Sequence, residues 1–306
     1  VDRVHKNLNR RKSSWFRRLY LFLDPGLKAS PFLKKPKCRS HAKPVKAGIL
    51  VEAALAKGLY SREQRHREPG LMPLPHAKTE SYRIFDAIAG RYDVINTVLS
   101  GGLHRIWRRA MRRSLPQRLN LTVLDLATGT GDVALELIKN PHVQKVRGLD
   151  LSKGMIAKGR EKIAAAGHGD KITLDVGDAQ KIPYSDASFD AVTISFGIRN
   201  VADVKLCLSE IYRVLKPGGR VLILEFGLPR SRVLRSAHLF YLRNILPGLG
   251  RLLSGHATAY SYLNQTIEEF PYGAAFAELL TGAGFTDAQF RPMSGGIVHL
   301  YRGDKP

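Results

Sequence analysis

The chain is short of cysteine, of long apolar runs and of acid. Only Cys38 and Cys207 occur in 306 residues, far apart and in no ligand-like spacing. That excludes a disulfide scaffold and a zinc site, and makes a reducing compartment the default. No uninterrupted apolar run approaches the roughly 18 residues a membrane-spanning helix needs, so the chain is expected to be soluble or to rest on a bilayer surface. Asp and Glu number 26 against 49 Lys and Arg, for a net charge of +23. The imbalance is concentrated in residues 1–71, which hold 18 basic and 5 acidic residues, or +13 of the total.

That segment is broken by Pro25, Pro31, Pro36, Pro44 and Pro69 and lacks sustained periodicity, apart from a short helix expected around Ile49 to Leu59. It reads as a basic, disordered N-terminal extension. Its readings stay open: a targeting segment, an arm for anionic lipid or nucleic acid, residues without a part in the chemistry, or residues ahead of a true start at Met72. Residues 72–306 read as one domain whose first part, 80–118, is a helical cap. There Ile84, Phe85, Ile88 and Tyr92 follow helical spacing, and a second helix is expected over Leu103 to Arg113.

From Val123 to Phe226 strands and helices alternate, which predicts a doubly wound, mostly parallel α/β sheet. VLDLATGTGD, Val123 to Asp132, is a buried strand, a glycine loop and a helix start. Gly129 and Gly131 let the backbone turn tightly and approach a flat ligand. Asp150 ends the next apolar run, nineteen residues after Gly131, where a carboxylate can take both hydroxyls of a ribose. Spacing alone would also admit a dinucleotide. Asp132 at the helix start repels a pyrophosphate, whereas Asp125, Asp132 and Asp150 suit the sulfonium of S-adenosylmethionine. Ile172 to Val176 predicts a third strand, after which Asp178 and Ala179 offer a carboxylate and a backbone N–H to an adenine edge. Thr128 in the loop and Ser195 at the end of the fourth strand complete the candidate cofactor residues. The fifth strand is expected over Arg220 to Phe226 after the turn Lys216 to Gly219. Phe285 to Phe290 and Ile297 to Tyr301 are expected to close a seven-stranded sheet.

Three strings narrow the reading: Tyr92-Asp93-Val94-Ile95-Asn96 with Leu99-Ser100, His104 and Trp107; SFGIRN, Ser195 to Asn200; and RVLKPGGRVLILE, Arg213 to Glu225. With YSYL (Tyr260 to Leu263) and the closing SGGIVHLYRGDK, residues 82–305 strongly resemble the ubiquinone/menaquinone biosynthesis C-methyltransferases. Ile95 stands where that family usually has Met, and Gly227 where Ser is frequent. The resemblance implies a class I S-adenosylmethionine-dependent methyltransferase fold, a prenylated quinol as substrate, no metal, a homodimer, and a bacterial cytoplasm or, alternatively, the mitochondrial matrix face of the inner membrane. Demethylmenaquinol is the favoured acceptor, and 2-polyprenyl-6-methoxy-1,4-benzoquinol the alternative.

Methylating a ring carbon requires an electron-rich ring, which loss of a hydroxyl proton creates. A phenol-like hydroxyl titrates near 10, so about 4 kcal/mol separates it from neutral pH. Arg199 is expected to stabilise the developing phenolate, with Asn200 orienting the ring oxygen or a water. A surface Arg–Asn pair capping the next helix is the competing reading. Tyr92 is a candidate to stack on the substrate and Asp93 an alternative proton acceptor, with Asn96, Tyr260 and Tyr262 as candidate substrate contacts. An ordinary helix cap and core tyrosines compete with these. His104 and Trp107 share a helical face and are expected to pack.

A prenylated substrate lives in a bilayer. Over residues 232–243, Val233, Leu234, Ala237, Phe240 and Tyr241 fall on one helical face and Arg232, Arg235, His238 and Arg243 on the other. This segment and NILPGLGRLL, Asn244 to Leu253, are expected to meet the membrane surface peripherally and admit the tail; a helix packed on the sheet or at a dimer interface is the plainer reading. Two rival functions are a nucleic-acid methyltransferase and a non-catalytic donor-binding scaffold. The charge lies mainly in an arm with few aromatics and no RNA-binding module is present, so no nucleic-acid partner is expected. Arg199 and Asn200 argue against the scaffold.

Overall fold

A computed structural model describes residues 81–248 and 257–306. Residues 1–71, including the helix expected around Ile49 to Leu59, lie outside the described residues, as does the second half of the Asn244 to Leu253 segment.

Three helices precede the sheet: α1 (Ser81–Ile88), α2 (Tyr92–Leu99) and α3 (His104–Arg113). Then come β1 (Leu121–Leu126), α4 (Asp132–Leu137), β2 (Val143–Asp150), α5 (Lys153–Ala165), β3 (Ile172–Val176), β4 (Phe189–Ser195), a 3-10 turn (Ile198–Asn200), α6 (Val204–Val214) and β5 (Leu215–Phe226). The remainder is α7 (Arg232–Phe240), a π-helical turn (Tyr241–Ile245), α8 (Ala257–Glu269), α9 (Ala274–Gly282), β6 (Thr286–Met293) and β7 (Val298–Asp304). No described helix is long and apolar enough to cross a membrane.

The seven strands lie in the order β3-β2-β1-β4-β5-β7-β6. The first five are parallel, and β7 runs antiparallel to both β5 and β6. LTVLDL and FDAVTIS are nearly continuous apolar runs because helices cover both faces of the central strands. Val123 and Ala191 belong to the core on one face, and Leu124 and Val192 to that on the other. Strand order reverses between β1 and β4, the place where an open α/β sheet leaves a crevice at its carboxyl end.

One boundary differs from expectation. β5 begins at Leu215, and the Lys216 to Gly219 stretch sits inside it as a bulge. Phe189 pairs with Leu215, and the next partners are Ala191 and Arg220. Gly218, at φ +70, donates to Lys305 O, and Lys305 N donates to Gly219 O, so β7 and its continuation hold the bulge.

Candidate active site

The crevice opens where β1 and β4 end. The residues after them, Ala127 (φ 49) and Phe196 (φ 57), are both left-handed, a costly conformation for a side-chain-bearing residue. They bend the two chains apart above the sheet. Gly197 then passes so close to Ala127 that a Cβ there would overlap the alanine methyl. Two adjoining cavities result, sharing Phe85, Tyr92, Ala127, Gly129, Ser195 and Phe196 as common wall.

The smaller, about 110 Å³, lies over the ends of β1, β2 and β3. Gly131 (φ 77) opens α4 in a conformation that glycine adopts without penalty. Gly129 N donates to Asp150 Oδ2 at 2.8 Å and Ser152 N to Oδ1 at 2.9 Å. Burial pushes the Asp150 carboxyl up, while these two N–H groups oppose the shift. Asp178 and Ala179 border the same cavity, and Gln180 N donates to Asp178 Oδ1 at 2.8 Å. Ser195 Oγ and Asn200 Oδ1 are buried with no protein partner. Both residues line the cavity, so it holds polar atoms awaiting a ligand's. The donor set fits the adenosine, amine and carboxylate of S-adenosylmethionine.

The larger cavity, about 350 Å³, lies under the helices. Ile95, Leu99, Trp107, Phe226, Leu242 and Ile267 give it an apolar lining. Phe196 and Phe226 stack at 4.4 Å between ring centroids, with Trp107 edge-on at 5.8 and 6.4 Å. Arg199 is 5 % exposed beneath them. Its Nη1 donates to Glu225 Oε1 at 2.8 Å and to Phe196 O at 2.5 Å, its guanidinium lies 5.4 Å from the Phe226 centroid, and its Nε has no partner. Glu225 is 1 % exposed and also accepts from Phe226 N at 2.9 Å. Arg199 is thus half of a buried neutral pair. Glu225 escaped the sequence reading because RVLILE looked like plain strand.

The structure redistributes several candidates. Asn200, expected to orient a ring oxygen or a water, borders the smaller cavity and not the larger. Asp93, expected as an alternative proton acceptor, borders neither cavity. It pairs with Lys162 and accepts from Thr130 Oγ1 at 2.7 Å, bracing α2 against α5 and the glycine loop. Asp125 also borders neither. Thr128 Oγ1 and Thr193 Oγ1 donate to it at 2.7 and 2.6 Å. Burial lifts its carboxyl to about 7 against those hydroxyls, so it organises the loop from beneath. Asp132, expected to repel a pyrophosphate, is paired with Arg108 at 2.6 Å and Lys162 at 2.8 Å. Thr128 and Asn96 line the larger cavity, and Tyr92 lies between the two. His104, expected to pack, faces the larger cavity. Tyr260 and Tyr262 sit on α8, with side chains outside the described residues.

His238 and Leu242 face inward, 8 % and 4 % exposed, whereas Val233 (82 %) and Phe240 (60 %) face out. Leu242, in the π-helical turn, and Leu246 after it bury themselves against Ile95, Leu228 and Ile267.

Comparison with known proteins agrees with this arrangement. A solved S-adenosylmethionine-dependent methyltransferase from Thermotoga maritima superposes with a TM-score of 0.53 at 19 % identity, covering 74 % of this chain and all of that one. At that identity it speaks for the fold. The ubiquinone/menaquinone biosynthesis C-methyltransferase of Geotalea daltonii is 44 % identical over 223 residues, 72 % of this chain and 94 % of its own length. That of Roseobacter denitrificans is 38 % identical over 222 residues, 72 % and 89 % of the two chains. The model of the ubiE/COQ5 methyltransferase family matches residues 75–305, the stretch that builds the whole sheet and both cavities, and the chain belongs to that family.

Proposed function

We propose that the chain carries a methyl group from S-adenosylmethionine to a ring carbon of a prenylated quinol, with demethylmenaquinol as its favoured acceptor. Methyltransferase activity, the donor and a place in ubiquinone/menaquinone biosynthesis follow from family membership. Which quinol is taken, and by which residues, rests on the cavities. The observation carrying the reading is their junction: a chamber with unpartnered polar atoms and a more apolar one share Tyr92, Gly129, Ser195 and Phe196. Two reactants held on either side of that wall meet without solvent between them.

Asp150 would hold the ribose and Asp178 with Ala179 the adenine edge, while the unpartnered Ser195 Oγ and Asn200 Oδ1 meet the donor's polar end. When bound, S-adenosylmethionine supplies an electrophilic methyl on a cationic sulfur. Trp107, Phe196 and Phe226 suit a flat aromatic ring. Arg199 offers its free Nε as a donor to a ring oxygen. Paired with Glu225, it acts through that N–H and the dipole of the pair rather than as a full positive charge. Tyr92 closes the junction from above, and Asn96 contributes a polar contact on the acceptor side. Val233, Phe240 and Ile245 project outward among Arg232, Arg235 and Arg243, a surface suited to anionic headgroups near the apolar chamber.

The test offers purified protein demethylmenaquinol and the demethylated benzoquinol with labelled donor and weighs the products by mass. Methyl incorporation into the naphthoquinol ring supports the reading, and no incorporation into either quinol overturns it. For the membrane surface, Arg232→Glu with Arg235→Glu should weaken binding to anionic liposomes and turnover of long-tailed substrate; no change in either removes it.

A further inference from the structure

Resting on that reading, we infer that His104 is a catalytic residue: its Nε2 accepts the proton that a quinol hydroxyl gives up as the ring carbon takes the methyl group.

The warrant is a hydrogen-bond count at the end of α2. Ser100 Oγ lies 2.6 Å from Asn96 O and 2.6 Å from His104 Nδ1. A hydroxyl has one proton, and a carbonyl can only accept. The hydroxyl proton therefore goes to Asn96 O, and the Nδ1 contact requires the imidazole to be the donor. The opposite assignment would press two lone pairs together at 2.6 Å. With hydrogen on Nδ1, a neutral ring leaves Nε2 bare. No described residue bonds Nε2, and His104, 6 % exposed, lines the apolar cavity together with Arg199. An unpaired acceptor on a residue of this cavity's wall matches a ligand hydroxyl.

The surroundings keep the ring neutral. Burial is the main cause and Arg108 and Arg105 add to it, against Asp132 and Asp93, so that the imidazole titrates at about 4. Such a base cannot strip a resting quinol hydroxyl, which titrates near 10; six units amount to about 8 kcal/mol. The gap sets the order of events. As the ring carbon's electron pair forms the bond to the methyl and the sulfur keeps the pair of the broken S–C bond, the hydroxyl oxygen becomes a protonated carbonyl, a far stronger acid. The proton passes to Nε2, and the O–H pair stays on the oxygen as a lone pair, leaving a neutral dienone. The tetrahedral ring carbon then loses its hydrogen to water. The freed pair restores the aromatic ring, and the oxygen regains the proton from His104. One proton reaches solvent per methyl transferred, and no oxidant is consumed.

The intact protein labelled with 15N-histidine tests the tautomer without substrate. His104 is expected as the neutral Nδ1–H form from pH 6 to 8, and an Nε2–H or cationic ring overturns the proposal. In turnover, His104→Phe should lose about 10²–10⁴-fold in kcat while calorimetric donor affinity and Tm hold. His104→Gly should regain part of the loss with added imidazole. Ser100 is a positioning residue: Ser100→Ala should lose roughly tenfold and mix the two tautomers in the 15N spectrum, and Ser100→Thr should restore both. A His104→Phe enzyme within about threefold of the parent kcat sinks the proposal alone. A parent that methylates no quinol sinks the reading beneath it.

Discussion

The smaller cavity is walled by strand ends and backbone; the larger is walled by helices and side chains. In the first, the wall is set by Asp150, the two N–H groups that hold its carboxylate and a glycine turn, all within about twenty residues of one another. In the second, the polar groups are spread over distant segments: Ser100 and His104 at a helix junction, Arg199 after β4, where Glu225 of β5 holds it, and His238 on α7. The smaller cavity thus rests on local geometry, and the larger on tertiary packing.

The comparison is sharpest where one side can be damaged alone. Glu225→Ala leaves Arg199 charged and buried without its partner, which should cost about 3–5 kcal/mol of stability in urea unfolding. Arg199→Met with Glu225→Leu should cost less than that single change; a double variant worse than the single would mean that the pair is a net stabiliser. On the other side, Asp150→Ala should weaken donor binding by about 3 kcal/mol, on the order of 10²-fold in calorimetry, with little change in Tm. Unaltered donor affinity would break the assignment of Asp150.

A pH series sets the two sides against each other. His104 and His299 titrate at about 4 when folded, His299 through burial and Arg230, against about 6.5 unfolded. The unfolded chain takes up their protons first, so each removes up to about 3 kcal/mol as pH falls from about 6.5 to 4. Asp125, at about 7 when folded, works in the other direction: its stabilisation is complete below about 4 and is lost as pH rises towards 7. Two histidines outweigh one carboxyl, so the urea midpoint should rise from pH 4.5 to 6.5, and more steeply in Asp125→Asn. A flat Asp125→Asn profile would contradict the buried neutral histidines. The smallest effect concerns the outer surface. Val233→Ser with Phe240→Ser should reduce liposome affinity roughly tenfold, about 1.4 kcal/mol, and leave turnover of a short-tailed quinol unaffected.

Legibility in the sequence divides along the same line. Alternating apolar runs revealed the parallel strands, and Gly129, Gly131 and Asp150 stood out because their geometry is fixed within about twenty residues. The Lys216 to Gly219 bulge stayed hidden because the last residues of the chain hold it. Asp93 looked reactive until Lys162, 69 residues away, proved to be its partner. His104 looked like packing because helical spacing gives a face and says nothing of what lies opposite. On α7 and the turn after it the spacing showed the two faces, but not that His238 and Leu242 turn inward, Leu242 against Ile95 and Ile267 far away in the sequence.

The abutment of Gly197 on Ala127 has a consequence for traffic. With the tips of β1 and β4 in van der Waals register, the floor beneath both chambers has no slack. Whatever widening admits a bulky tail or releases a methylated ring must come from the roof, where α1, α2 and α7 are fastened by a few polar clasps such as Asp86 on Gly154 N and Tyr241 on Leu99 O.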